Sequence, residues 1–199
     1  MVDILAIGVH PDDVELSCSG TLLKHIALGK TAGILDLTRG EMGTRGNAEI
    51  RSKEAMASAK ILGVKFREQL DLGDCFFENN KESQLAIIKV IRQRKPQIVL
   101  CNAVSDRHPD HGRAAKLVAD ACYYSGLVKI DTGQEAHRPQ AVYHYIQDNF
   151  EHPNFVVDVT DFADKKREAI MAFASQFYKP DSKEPQTPIS TPEFLENLF

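Results

Sequence analysis

Two short runs concentrate side chains that could do chemistry in this 199-residue sequence: His10-Pro11-Asp12-Asp13 and Arg107-His108-Pro109-Asp110-His111. Imidazoles and carboxylates are the groups that bind divalent ions and move protons near neutral pH, and here they are packed into two sites far apart in the chain. Proline holds the residue before it in extended backbone, so His10 and His108 each leave the preceding segment in a set direction. A divalent ion bound by two imidazoles and one carboxylate keeps open positions for water and substrate. His10, Asp13 and His111 supply that set, and Asp12 remains beside it as a candidate general base. His108 and Asp110 read as an oriented pair, with the carboxylate fixing the tautomer and supporting a protonated imidazole. Such an imidazole would stabilise an oxyanion or protonate a departing amine. A lone His-Pro-Asp is more simply a histidine that caps a helix and pairs with a nearby aspartate. Two such motifs, each at the end of an apolar run, argue for a shared site.

The elements that must position these residues alternate between strand and helix patterns. Ile4 to Val9 is a nearly continuous apolar run, as expected of a strand buried on both faces. Ser19 is placed to cap a helix bearing Leu22, Leu23, Ile26 and Ala27 on one face, ended by Gly29. Ala32 to Thr38 is a second strand, Arg39 to Asn47 a glycine-rich turn, and Ala48 to Leu62 a helix stopped by Gly63. A third strand is expected around Phe66 to Leu72. Ser83 is placed to cap the next helix, which Lys95-Pro96 stops. Ile98 to Cys101 is the fourth strand, and Gly112 to Tyr124 a helix with Ala114, Ala115, Leu117, Val118, Ala121 and Cys122 on its buried side. Ala141 to Ile146 and Phe155 to Val159 are further strand candidates, with a helix from about Asp161 to Ala174. The tail from Lys179 carries four prolines, so loop is expected there, with a short helix at its end.

This alternation predicts one α/β domain over residues 1–199, with right-handed β-α-β units and a mostly parallel sheet. Ligands of such sheets sit beyond the carboxyl ends of the strands, where both motifs fall. A dinucleotide fold would place G-x-G-x-x-G after the first strand; here the sequence is G-V-H-P-D-D. Composition narrows the class further. A net charge of −4, no tryptophan and no basic stripe speak against nucleic acid or an anionic membrane as partner. Cys18, Cys75, Cys101 and Cys122 form no C-x-x-C pair, so reduced, mostly buried thiols are expected rather than a thiolate metal site. The sequence opens directly into the first strand, without a basic leader or a long apolar run, which reads as a cytoplasmic protein.

H-P-D-D-V-E-L, the L-T-R-G-E-M-G-T-R-G loop, A-E-I-R-S-K-E-A and R-H-P-D-H, in that order over most of the chain, resemble the LmbE/PIG-L family of N-acetylglucosaminyl deacetylases. The glycine-rich loop followed by Glu49-Ile50-Arg51 is most similar to the branch that deacetylates N-acetylglucosaminyl malate in bacillithiol biosynthesis. The resemblance implies a Rossmann-like three-layer sandwich, zinc as the usual metal with iron or another divalent ion as alternatives, and a homo-oligomer, often a hexamer. It puts the metal ligands on His10, Asp13 and His111, the general base on Asp12, and the transition-state histidine on His108 with Asp110 behind it. Arg51 matches a substrate-binding arginine and Arg138 one near the acyl or sugar pocket; an arginine fork suits a carboxylated aglycone such as malate. Arg39, Glu41, Arg45 and Glu15 are left between site and scaffold. Members of the family also continue past the position of Phe199, so residues 179–199 are expected as a loop-rich segment shortened relative to them.

The implied activity is hydrolysis of the N-acetyl group of an N-acetylglucosaminyl conjugate, with another small N-acetyl sugar as the alternative substrate. Two rival classes share some of the residues. His10, Asp12 and His111 also fit the facial triad of a non-haem iron oxygenase, but those enzymes are typically β-barrels. A non-catalytic sugar- or metal-binding module would need neither the spare carboxylate nor the His108–Asp110 pair.

Overall fold

The computed structural model describes residues 1–198. Five strands form one parallel sheet: β1 (Ile4–Gly8), β2 (Ala32–Asp36), β3 (Arg67–Gln69), β4 (Ile98–Cys101) and β5 (Ala141–His144), in the order β3-β2-β1-β4-β5. The helices are α1 (Asp13–Ser17), α2 (Ser19–Ala27), α3 (Ala48–Leu62), α4 (Lys81–Arg94), α5 (Pro109–Tyr124), α6 (Ala163–Met171) and α7 (Pro192–Leu198), with a 3₁₀ turn at Thr160–Phe162. None of the described helices is long and apolar enough to cross a membrane.

The central strand shows why the sequence chooses this architecture. Every residue of β1 is buried, and its side chains alternate between two cores, as the strand period of two requires. Leu5 and Ile7 pack with Leu35, Val99, Ile87, Ile91, Leu117 and Val118 under α4 and α5. Ile4 and Ala6 pack on the other face with Ile34, Val14, Leu22 and Leu62. A strand covered by helices on both faces must be apolar throughout, and parallel pairing needs the helical crossovers that provide the cover. A third, smaller cluster joins Ala55 to Ile170, Phe173 and Phe177, with Phe194, Leu195 and Leu198 of the C-terminal segment packed against it. That segment therefore lies on the α3–α6 side, and α7 begins with Pro192, where a missing N–H costs a helix nothing.

Several local expectations give way to better alternatives. Ser19 is the first residue of α2 rather than its cap, and its hydroxyl donates to Glu15 O at 2.6 Å. Asn80, not Ser83, caps α4: its side chain accepts the Ser83 N–H, so Ser83 is the capped position. Helix α5 starts at Pro109, three residues before Gly112. Phe155 to Val159 is not a strand: no ladder forms along it, and Phe155 and Val156 are exposed. Asp158 there accepts both the N–H and the hydroxyl of Thr160, a turn that leads into the 3₁₀ segment, and the Phe155 ring packs edge-on against Tyr143 of β5.

One cluster of charged groups is built into the core around β2 and β3. Arg67 of β3 is wholly buried and binds Asp36 of β2 through two N–H groups, both at 2.8 Å, and Glu15 of α1 at 2.5 Å. Glu15 also accepts from Ser58 of α3, and Asp36 from Gln69. Glu15 thus belongs to the scaffold. Arg67→Ala should lower stability by about 3–5 kcal/mol, since two carboxylates would remain buried without their cation. Urea unfolding monitored by circular dichroism measures the loss, and Arg67→Lys should restore little of it, because one ammonium cannot replace the guanidinium fork.

Candidate metal centre and active site

The cleft lies beyond the carboxyl ends of β1, β3, β4 and β5, where the loops after these strands converge. It has a volume of about 350 Å³ and is lined by His10, Asp12, Asp13, Arg51, Asp74, His108 and His111, among others. Asp12 sits between β1 and α1 with φ 112°, a left-handed conformation uncommon for a residue bearing a side chain. That bend starts α1 at Asp13 and turns the Asp13 carboxylate back under the loop. Its Oδ2 accepts from Val9 N, His10 N and Asn102 Nδ2, each at 2.9 Å. Its Oδ1 accepts from Gln147 Nε2 at 3.2 Å and lies 3.3 Å from His111 Nε2. One oxygen builds the loop while the other faces an imidazole.

The three histidines gather as rings, with centroids 4.8 Å apart for His10–His108, 5.7 Å for His10–His111 and 5.1 Å for His108–His111. Each ring offers a nitrogen within 4.8 Å of the others; His10, Asp74 and Asp110 form a second such set. The residues fit a divalent ion on two counts. Carboxylates surround the rings, raising His10 well above the ordinary imidazole pKa and His111 to about 9 despite burial, which opposes both shifts. This is a potential that favours cations. In addition, two ligands at about 2.0–2.1 Å from a tetrahedral ion stand roughly 3.3 Å apart, the separation observed between Asp13 Oδ1 and His111 Nε2.

Asp12 is buried, and burial pushes its carboxyl up to about 7, although the Arg51 guanidinium beside it pulls the other way. Arg51 Nη2 donates to Asp12 Oδ2 at 3.1 Å and to Pro11 O at 2.6 Å, and Nη1 donates to Gly40 O at 3.3 Å. Arg51 therefore reaches the cleft as expected, but its fork is engaged by the Asp12 loop rather than left open for a substrate carboxylate.

His108 caps α5: its Nδ1 accepts the backbone N–H of Asp110 at 3.3 Å. This leaves the hydrogen of a neutral ring on Nε2. Burial and the neighbouring His10 and His111 hold its pKa below the usual value. The Asp110 carboxylate does not face His108. It accepts from Cys75 N at 3.0 Å and Arg113 Nη1 at 2.7 Å, and lies 3.5 Å from His10 Nε2. Arg138 is outside the cleft: exposed, it stacks on the Tyr123 ring at 4.3 Å and donates to Tyr123 O. Tyr123 is thirteen residues along α5 from Asp110, about 20 Å by helix rise.

The structure adds residues that motif reading passed over. Asp74, after β3, lies 3.1 Å from His10 Nε2 and accepts from Met42 N, while Glu41 accepts the Asp74 N–H. Glu41 thus ties the glycine-rich loop to the site. Asp106 lies 2.5 Å from His111 Nδ1, and Asn102 and Gln147 hold Asp13. All of them follow the carboxyl end of a strand, which was the available signal. Arg45 instead binds Ser182 and Glu184 of the tail.

The pattern of the PIG-L family, described as GlcNAc-PI de-N-acetylase, matches residues 5–122, a span that holds His10, Asp12, Asp13, Asp74, Asp106, His108, Asp110 and His111. The chain belongs to this family. Among relatives, diacetylchitobiose deacetylase of Thermococcus kodakarensis is 34% identical over 87% of this chain and 70% of its own length. A probable N-acetyl-alpha-D-glucosaminyl L-malate deacetylase 2 of Bacillus anthracis is 30% identical over 87% and 81%. A 4-oxalmesaconate hydratase of Pseudomonas putida is 26% identical over 86% and 73%. Among solved structures, a conserved protein of Thermus thermophilus superposes with a TM-score of 0.85 at 38% identity, covering 89% of this chain and 80% of that one.

Gly40 supports the Arg51 contact directly. It has φ +64°, and a Cβ there would lie 2.3 Å from Arg51 Nη1. Gly40→Ala should cost about 1–2 kcal/mol from the left-handed backbone alone, and more as Arg51 is displaced. Denaturant titration of this variant beside Gly29→Ala, which has a similar φ but open space around it, separates the two contributions.

Proposed function

We propose that this protein is a zinc-dependent amidohydrolase that removes the acetyl group from a small N-acetylglucosaminyl conjugate, N-acetylglucosaminyl malate being the candidate substrate. The observation that carries the reading is the division of labour between adjacent aspartates: Asp13 Oδ1 faces His111, while Asp12 is held by Arg51 at the cleft wall. His10, Asp13 and His111 would hold the ion. When bound, it supplies Lewis-acid polarisation of the acetamide carbonyl and a lowered pKa for water.

The chain's own groups do the rest. Asp12 accepts a proton from the attacking water, with Arg51 keeping the carboxylate in place. His108, its Nδ1 fixed by the α5 backbone, points an Nε2–H that can donate to the oxygen on which negative charge develops. Asp74 of the β3–α4 loop and Asp110 of α5 hold the His10 ring. The malate conjugate is favoured by the loop motif leading into Arg51 and by the Bacillus anthracis relative. The chitobiose deacetylase supports an alternative with a second sugar in place of malate.

Acetate release from N-acetylglucosaminyl malate, N,N′-diacetylchitobiose and free N-acetylglucosamine is the direct test. Release from none of them, together with hydration of an unsaturated tricarboxylate, would instead place the chain with its hydratase relative. Asp12→Asn should retain near-stoichiometric zinc yet lose most of the turnover, since an amide does not take a proton from water. Asp13→Asn should bind zinc weakly and regain activity in excess metal. Metal analysis of the two purified variants decides the assignment, and the opposite pattern reverses it. His108→Ala should keep its zinc and lose about 10²–10³-fold in kcat; metal loss equal to that of His111→Ala would make His108 a ligand.

A further inference from the structure

Asp106 lies in the loop from β4 to α5, and its side chain is shielded from solvent. The carboxylate has four partners. Oδ2 lies 2.5 Å from His111 Nδ1 and accepts from Asp148 N at 3.5 Å, while Oδ1 accepts from Arg107 N at 2.8 Å and Asn149 N at 2.9 Å. No lysine or arginine pairs with it among the described residues. The charge is met by backbone N–H groups and one imidazole.

We propose that Asp106 is the positioning residue of this centre, fixing which ring nitrogen of His111 faces the ion and tying one wall of the cleft to that ring. A neutral imidazole has one N–H and one lone pair. With Nδ1 against a carboxylate, the hydrogen belongs on Nδ1 and the lone pair on Nε2. Nε2 then faces Asp13 Oδ1 at 3.3 Å, two lone pairs that only a cation or a proton between them reconciles. Asp106 thereby presents a ligand atom toward Asp13 and, through its negative charge, makes that atom more basic.

The second half of the inference concerns the wall. Gln147 and Asp148 line the cleft, and Asp148 pairs with Arg107 at its mouth. The carboxylate that orients His111 also accepts the N–H groups of Asp148 and Asn149. The segment after β5 and the ligand from α5 are thus referenced to a single group. Removing Asp106 frees the ring to rotate or change tautomer and loosens the surface on which substrate rests.

The metal arm of the test is independent of the deacetylase reading, which a separate outcome probes: a wild-type protein that binds zinc but releases no acetate. Zn²⁺ affinity is measured by competition with a chromogenic chelator for the wild type, Asp106→Asn and Asp106→Ala. Asp106→Ala should bind zinc about 10–100-fold more weakly, and Asp106→Asn, which keeps the shape and an acceptor but not the charge, should fall between. If Asp106→Ala does not fold, Asp106→Asn carries the comparison. In the zinc-loaded wild type, ¹⁵N-histidine NMR should show a protected His111 Nδ1–H proton, which the alanine variant loses. Zinc affinity within about twofold of wild type in a folded Asp106→Asn, where loss of the charge on an outer-shell partner should be felt, overturns the proposal. An Nδ1–H signal unchanged in Asp106→Ala overturns it as well.

Discussion

Arg67 is the interaction on which the remainder of the active-site geometry rests. It is one cation between two carboxylates in a place without solvent, joining α1 through Glu15 and β2 through Asp36. Helix α1 spans only five residues, too short to hold its own position by backbone hydrogen bonds. Glu15 anchors it from its middle, so the residues at its start inherit a fixed place. Those residues are Asp12 and Asp13. The Asp12 bend and the Asp13 hydrogen-bond cluster are therefore set from two sides, by Arg67 below and by the loop amides of Val9 and His10 above. A buried ion pair is seldom a source of net stability, but it is demanding about geometry, and geometry is what a metal centre needs.

A second constraint comes from the parallel sheet itself. Crossover connections return every strand in the same direction, so the loops after β1, β3, β4 and β5 meet at one edge. His10, Asp74, Asn102, Asp106 and Gln147 come from four such loops, and no two of these loops are consecutive in the chain without a helix or strand between them. Leu16, Ile146, Ile189, Phe194 and Leu198 add an apolar wall to the cleft. Part of that apolar wall belongs to the C-terminal segment, which packs on Phe173 and Phe177.

The parallel sheet, the strands β1 to β5 and the two His-Pro-Asp motifs were legible in the sequence because buried parallel strands and proline-flanked loops leave strong one-dimensional signals, whereas the strand order was not. Nor was the direction of individual side chains. Asp110 lies two residues after His108, which suggested a side-chain pair. A helix N-cap instead meets the free N–H two residues on, so the backbone of Asp110 serves His108 and its carboxylate turns toward His10 and Arg113. Capping α5 and lining the cleft, treated as rival readings of His108, coexist in one ring. Arg138 failed for a different reason: nothing in H-R-P-Q tells which end of α5 it reaches. Phe155 to Val159 failed because apolar composition specifies a strand only if a neighbouring edge takes up its hydrogen bonds.

The left-handed backbone of Asp12 has a consequence for how this protein can change. A side chain held at φ 112° costs on the order of 1–3 kcal/mol, a cost carried by the surrounding contacts. Glycine would relieve it with no repacking, so the substitution most favourable to the backbone at this position deletes the carboxylate. Selection for robustness alone would drift toward that glycine. Laboratory evolution for thermal tolerance without an activity screen would be expected to erase the carboxylate early.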